Sequence, residues 1–401
     1  MDFYGFYTGT EFHAHEYLGA HVTDDGVVFR VFAPAARGIA VIGEFNEWNG
    51  EPMHKIYDGN FWECVIPTAK VGQMYKYRIY DQNGGCLDRC DPYGRRMELR
   101  PHSASIICGG GKQKFTDEKW LKTRDGGLDK PLNIYEIHAG SWRCKPDEED
   151  QRDVAEHWYN YRELADLLVP YLKENHYHYV EMMPLAEHPS DESWGYQISG
   201  FFSPTSRYGT PDDLKYLVNK CHNAGIGVIM DFVPVHFAVD DYALWNFDGT
   251  ALYEYPHSDV GKSEWGSCNF MHSRGEVRSF LQSAADYWLE EFHFDGLRMD
   301  AISNLIYWQG NPARGENKDA VQFLQNLNRG LKERFPTALL IAEDSTARPN
   351  ITTPVSAGGL GFDYKWDMGW MNDTLSYFQA PVAERMEKYH KLTSSMQYFY
   401  D

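Results

Sequence analysis

Hydrophobic and polar positions change rhythm once along this chain. Up to about Ile107, apolar residues come in short β-prone runs broken by turn residues. The runs at 27–32 (VVFRVF), 39–42 (IAVI), 62–66 (WECVI) and 75–80 (YKYRIY) predict strands. Asp24-Asp25-Gly26, Asp58-Gly59-Asn60 and Asn83-Gly84-Gly85 predict turns. Short strands at this spacing predict a β-sandwich, assigned here to residues 1–115, with residues 1–17 as a weakly ordered lead-in. A Gly- and Lys-rich connector spans 108–130. After it the rhythm becomes strand–helix alternation, which predicts a parallel sheet or barrel over 116–401. Six strands are expected, within 132–138, 179–184, 227–232, 294–300, 339–343 and 361–366. Helices are expected over 161–174, 211–224 and 277–291, the first with Leu164, Leu167, Leu168 and Leu172 at helical spacing. The predicted fold class is α/β: an incomplete (β/α)8 TIM-type barrel preceded by an all-β sandwich module.

The candidate chemistry sits at the ends of these strands. In Phe294-Asp295-Gly296-Leu297-Arg298-Met299-Asp300, alternation puts Arg298 and Asp300 on one face, and Leu297 and Met299 on the other. Such a strand can turn its apolar face to surrounding helices and its charged face to a closed interior. An Arg beside a buried Asp favours the ionised carboxylate, which a nucleophile needs. A plain structural salt bridge is the competing reading. Strands three, four and five each end in an acid: Asp231, Asp300 and Glu343. In a (β/α)8 barrel the active site lies at the C-terminal strand ends, so these three are expected to converge, with Arg298 and His236 beside them. Two carboxylates about 5–5.5 Å apart across a sugar bond can act as nucleophile and general acid/base in a retaining mechanism.

Composition narrows the partners. A formal net charge of -20 argues against nucleic acid and anionic membrane. No stretch of eighteen apolar residues occurs, so no membrane span is expected. Aromatics make up 15% of the chain, a supply of flat surfaces that suits sugar rings or a large core. Trp48 and Trp62 could be binding edges of the first module or could only fill it, and for Trp62 the packing reading is preferred. Seven scattered cysteines and no signal-like start point to free thiols in a reducing cytoplasm.

Longer motifs then carry a resemblance. The stretches at 231–236 (DFVPVH), 296–300 (GLRMD) and 342–346 (AEDST) resemble the first three sequence regions of the α-amylase superfamily. Glu187-His188-Pro189 with 193–197 (SWGYQ), 202–209 (FSPTSRYG), 248–253 (DGTALY) and 358–362 (GGLGF) with 366–370 (WDMGW) are similar to bacterial 1,4-α-glucan branching enzymes. The first module resembles the carbohydrate-binding-like module of branching and debranching enzymes. The resemblance implies Asp300 as nucleophile, Glu343 as acid/base, and Arg298 as the group that orients Asp300. It implies Tyr196 stacking under the sugar at the cleavage site, with Asp231 and His236 binding that sugar's hydroxyls. It implies an α-1,4-glucan substrate such as glycogen or amylose, transfer of the cut chain to a glucose 6-hydroxyl, and no cofactor. Calcium-binding relatives carry Asn before the His; Val235 stands there, so no metal is expected at that position. The superfamily's fourth region, a His-Asp after the seventh strand, is not reached by Asp401. The chain therefore reads as a fragment, with marginal folding and no catalysis expected of residues 1–401 alone. A hydrolase or debranching enzyme, or a non-catalytic glucan-binding fragment, remain as alternatives.

Overall fold

The computed structural model describes residues 1–146 and 157–394; Met396–Asp401 lie outside the described residues. The N-terminal module is two antiparallel sheets. One runs in the order Gly19–Thr23, Gly26–Phe32, Phe61–Ile66, His54–Ile56. The other runs Glu51–Pro52, Gly38–Gly43, Met74–Tyr80, Cys86–Arg89, with Ser105–Ile106 also pairing Met74–Tyr80. Alternate residues turn inward, and Phe29 meets Tyr75 across the two sheets with ring centroids 5.0 Å apart. Trp62 is buried and its Nε1 donates to the Ala33 carbonyl at 3.0 Å, so it packs the sandwich. Trp48 stays partly exposed. The short strands Gly19–Thr23, Glu51–Pro52, His54–Ile56 and Cys86–Arg89 were not expected, because they carry too few apolar residues to show a period.

The lead-in is a correction. Residues 1–17 are ordered, with a helix at Phe3–Thr8 and a 3₁₀ turn at Ala14–Glu16. Phe6 is buried against Phe32 and Phe61. The segment lies across the helix Gly275–Glu291, whose outer face is polar but sheltered. Ser279 Oγ donates to the Phe6 carbonyl at 3.0 Å, Gln282 Nε2 to the Gly9 carbonyl at 3.1 Å, and Ser283 Oγ accepts from the Ala14 N–H at 3.0 Å. Backbone groups of the segment thus find partners that water would otherwise supply. Gly275 permits the approach: a β-carbon there would fall 1.8 Å from the Tyr7 carbonyl oxygen.

The larger part is a curled sheet of six parallel strands in sequence order: Ile134–Ile137, Tyr179–Met182, Gly227–Phe232, Gly296–Met299, Leu339–Ala342 and Tyr364–Lys365. Helices Tyr161–Glu174, Pro211–Asn223, Gly275–Glu291 and Lys318–Arg334 lie between them. This is an incomplete TIM-type barrel. Among the described residues, the first and sixth strands do not pair with each other. Two helices begin with capping boxes, Asn160 with Glu163 and Thr210 with Asp213, which explains where they start. Leu297 and Met299 are fully buried, as the alternation in the fourth strand predicts.

Module and barrel are joined by polar contacts. The Cys90 N–H donates to the Tyr242 carbonyl at 2.7 Å, Asp248 accepts from the Ala35 N–H at 2.9 Å, and Ser203 donates to the Gly94 carbonyl at 2.6 Å. By Phe115, which stacks on His293 at 3.8 Å, the chain has crossed to the barrel.

Candidate active site

Strand register sets the height of each acid. Asp231 pairs level with Arg298, and Arg298 with Ile341. Asp300 and Glu343 each follow their strand's last residue, and those residues, Met299 and Ala342, are level with each other. Asp300 and Glu343 therefore share one layer at the strand ends, while Asp231 lies a layer below, two residues deeper. The three acids do converge, but they are not at equivalent strand ends.

Arg298 ties the layers together. Its Nη1 donates to Asp231 Oδ2 at 3.0 Å and to Asp300 Oδ1 at 2.9 Å, and its Nη2 lies 3.1 Å from Glu343 Oε2. The Ala301 N–H donates to Glu343 Oε2 at 2.8 Å, fixing that carboxylate. Tyr196 OH donates to Asp231 Oδ2 at 2.6 Å. Tyr196 reaches this position from a tight turn at Gly195, whose φ is +93° and whose β-carbon would meet the Pro184 carbonyl at 2.5 Å.

The electrostatics differ from the simple Arg–Asp expectation. Burial pushes the Asp300 carboxyl up to about 8, against the pull of Arg298 and with a further push from Glu343 and Asp231. One guanidinium is shared among three carboxylates, so it cannot hold them all ionised. The neighbouring Glu343 carboxylate adds to that push, so ionising Asp300 beside it is costly. A carboxyl pair that resists losing its last proton suits chemistry in which one member donates a proton while the other attacks.

Asp231 is fully buried, with 0% exposure, and its Oδ1 has no partner. Its Oδ2 is engaged by Arg298 and Tyr196, and Asp231 is not among the residues that line the cavity where the resemblance implies a sugar contact. His236 is in the cavity wall, in the short strand His236–Phe237, with Nδ1 unpaired. Burial lowers its imidazole to about 4, so it meets a ligand as a neutral ring. Tyr196, His236, Asp300 and Glu343 face one cavity of about 460 Å³, together with Glu192, Ser193, Gln197, Trp265 and Ala301.

Three residues in or under the site escaped the sequence reading. Trp366 lies under Arg298, whose guanidinium carbon is 4.1 Å from the ring centroid. Its place just after the sixth strand was the available signal. Glu181, on the second strand, is buried beside Asp231, and burial raises its carboxyl to about 7. It was a lone acid inside an apolar strand. Glu136, Glu181 and Asp231 have carboxylate oxygens within 4.8 Å of one another, and are the set at this site that could hold a cation, among the described residues. Trp265, on the long segment after the third strand, had no signal.

Comparison with known proteins agrees with this geometry. Residues 17–94 match the model of carbohydrate-binding module 48 (isoamylase N-terminal domain), and residues 167–249 match the alpha amylase catalytic domain. An apo pullulanase from Paenibacillus barengoltzii has the same fold, with TM-score 0.64 and 20% identity over 81% of this chain and 52% of that one. The chain is thus similar to the α-amylase catalytic domain within its barrel and to a carbohydrate-binding module before it. Over nearly its whole length the chain is similar to bacterial proteins named 1,4-alpha-glucan branching enzyme. It is 47% identical to the enzyme named GlgB of Fusobacterium nucleatum, over 99% of this chain and 64% of that protein. It is 44% identical to GlgB of Bacillus caldolyticus, over 100% of this chain and 60% of that protein. The chain thus spans less than two thirds of the length of these curated relatives.

Proposed function

We propose that the natural protein is a 1,4-α-glucan branching enzyme of the cytoplasm, with residues 1–115 as its carbohydrate-binding module and 116–401 as its catalytic barrel portion. The observation that carries the reading is the level pair Asp300 and Glu343, held by one Arg298 and open to one cavity. Asp300 attacks the anomeric carbon of an α-1,4-linked glucose. The bond from that carbon to the leaving oxygen breaks, and Glu343 gives that oxygen a proton. Glu343 then takes the proton of a glucose 6-hydroxyl, whose oxygen displaces Asp300 and forms the α-1,6 link. Arg298 orients Asp300, Tyr196 floors the sugar, and His236 offers a neutral ring nitrogen to a hydroxyl.

The test is Asp300→Ala in the natural protein, read by the absorbance of the iodine complex of amylose. Wild type should lower the absorbance as branches form, and the variant should not. A variant that still branches removes Asp300 as nucleophile. Reducing ends without an iodine change characteristic of branching would favour the hydrolase reading.

A further inference from the structure

Three aromatic rings stand in the cavity wall, and two of them already have duties. Tyr196 is tied through its hydroxyl to Asp231, and His236 is buried. Trp265 is different: 44% of it is exposed, although it faces the same cavity. Leaving an indole in water costs roughly 25 cal/mol per Å² of apolar area. A protein can reduce that cost by letting the side chain fold down. Here the backbone is pinned instead.

The pinning comes from two directions. Within the loop, Ser263 Oγ accepts from the Trp265 N–H at 3.2 Å, and the Ser263 and Ser267 hydroxyls share a hydrogen bond of 2.5 Å. Gly266, at φ +78°, makes the turn that follows. From outside the loop, Gln197 Nε2 donates to the Trp265 carbonyl at 2.9 Å. Gln197 is the neighbour of Tyr196, so the loop that carries Trp265 is fastened to the segment that carries the cavity floor. The His236 ring lies 5.2 Å from the indole at 39°, which limits its tilt.

We infer that Trp265 is a stacking platform for a glucose unit of the bound α-glucan, next to the unit over Tyr196, and that Gln197 is its positioning residue. This rests on the glucan reading above. A pyranose ring has an apolar C–H face and a rim of hydroxyls. A flat exposed ring in a cavity wall that also carries polar side chains, here Glu192 and Gln197, matches that shape, and apolar walls with a few placed polar groups are the usual make-up of a ligand site. Trp265 touches no reacting atom, so its contribution is to binding and not to the chemical step.

The experiment compares wild type, Trp265→Ala and Trp265→Phe of the natural protein, with thermal unfolding as a check on folding. Trp265→Ala should raise KM for amylose about tenfold and leave kcat within about twofold, as expected when binding shared by ground and transition states is lost. Trp265→Phe, which keeps a flat ring, should recover most of the loss. Gln197→Ala should raise KM in the same direction by a smaller factor. An unchanged KM in Trp265→Ala, or a loss confined to kcat, overturns the inference. Titration of wild type and Trp265→Ala with maltoheptaose answers separately from turnover: equal affinities count against Trp265 even if branching itself is never observed. A failure of Asp300→Ala to lose activity would instead strike the proposed function and leave this comparison readable.

Discussion

Arg298 and Asp231 stand level on neighbouring strands, with Nη1 3.0 Å from Oδ2, one layer beneath the pair Asp300 and Glu343. Asp231 is thus a support for the guanidinium that reaches upward. Removing it should leave Arg298 buried with fewer partners. Breaking a buried ion pair from one side costs about 3–5 kcal/mol. Asp231→Ala is expected to lose stability on that scale in urea unfolding, and a loss below about 1 kcal/mol would show that Asp231 is not that support.

Arg298→Lys should not be a mild exchange. A lysine keeps the charge but cannot reach Asp231, Asp300 and Glu343 together from one planar fork. The expected loss in turnover is about a hundredfold or more, comparable to removing a preorganised electrostatic partner. Circular dichroism should still show the native spectrum. Turnover near that of wild type would count against the role.

The raised Asp300 carboxyl beside Glu343 predicts a pH profile. Burial raises the Asp300 carboxyl to about 8, so the pair keeps one proton below that pH and loses it above. A reaction that starts with a proton on one member and a charge on the other needs the singly protonated pair. The value of kcat/KM should therefore fall as pH rises through about 8, since this parameter reports the free enzyme. A profile that stays flat well into the alkaline range would contradict this.

Far from the cavity, His222 bridges two acids. Its Nδ1 and Nε2 are each 2.7 Å from a carboxylate oxygen, of Asp117 and Asp295, so both nitrogens must donate and the ring must be charged. Burial opposes that charge, but the two acids outweigh it, and the folded pKa is raised. Its contribution to stability is fully present below the unfolded value of about 6.5 and is lost as pH rises through the raised folded value. Asp117, lowered to about 2, and Asp295, also lowered, contribute above the unfolded carboxylate value and lose that contribution as pH falls through their folded values. The gap in Tm between wild type and His222→Gln should be widest at mildly acidic pH and narrow in alkali. A gap that widens in alkali would reverse the assignment.

Gly275 tests the N-terminal segment. A β-carbon there collides with the Tyr7 carbonyl, which is backbone and cannot swing aside. Gly275→Ala should lower Tm, although alanine is the better helix former by about 1 kcal/mol. The variant should also increase protease cleavage within residues 1–17. A rise in Tm would mean that the segment does not hold its place on the helix.

Much of the scaffold was legible in local pattern. The helix over Tyr161–Glu174 and the strand Gly227–Phe232 form where the periodicity places them. The first 17 residues were not legible, because no period of their own marks them as buried. Their fit is written instead on another element: Ser279, Gln282, Ser283 and Asp286 fall at i, i+3, i+4 and i+7 of the helix Gly275–Glu291, a polar stripe that reads as solvent-facing until the segment covers it.

At the site, the sequence alone determined which chemistry is present: Asp300 after Arg298 on one strand, Glu343 closing the next, Tyr196 and His236 in their motifs. Local alternation decides which side chains share a face, and that needs no partner. Depth and company were decided only by the tertiary structure. Whether Asp231 or Asp300 reaches the cavity depends on the register between strands, which no single strand encodes. How one Arg298 divides its charge among three acids depends on side chains from separate strands and on the water that their packing removes. Trp265 and Trp366 entered the site the same way, because loops and late strands far apart in the chain fold onto one end of the sheet.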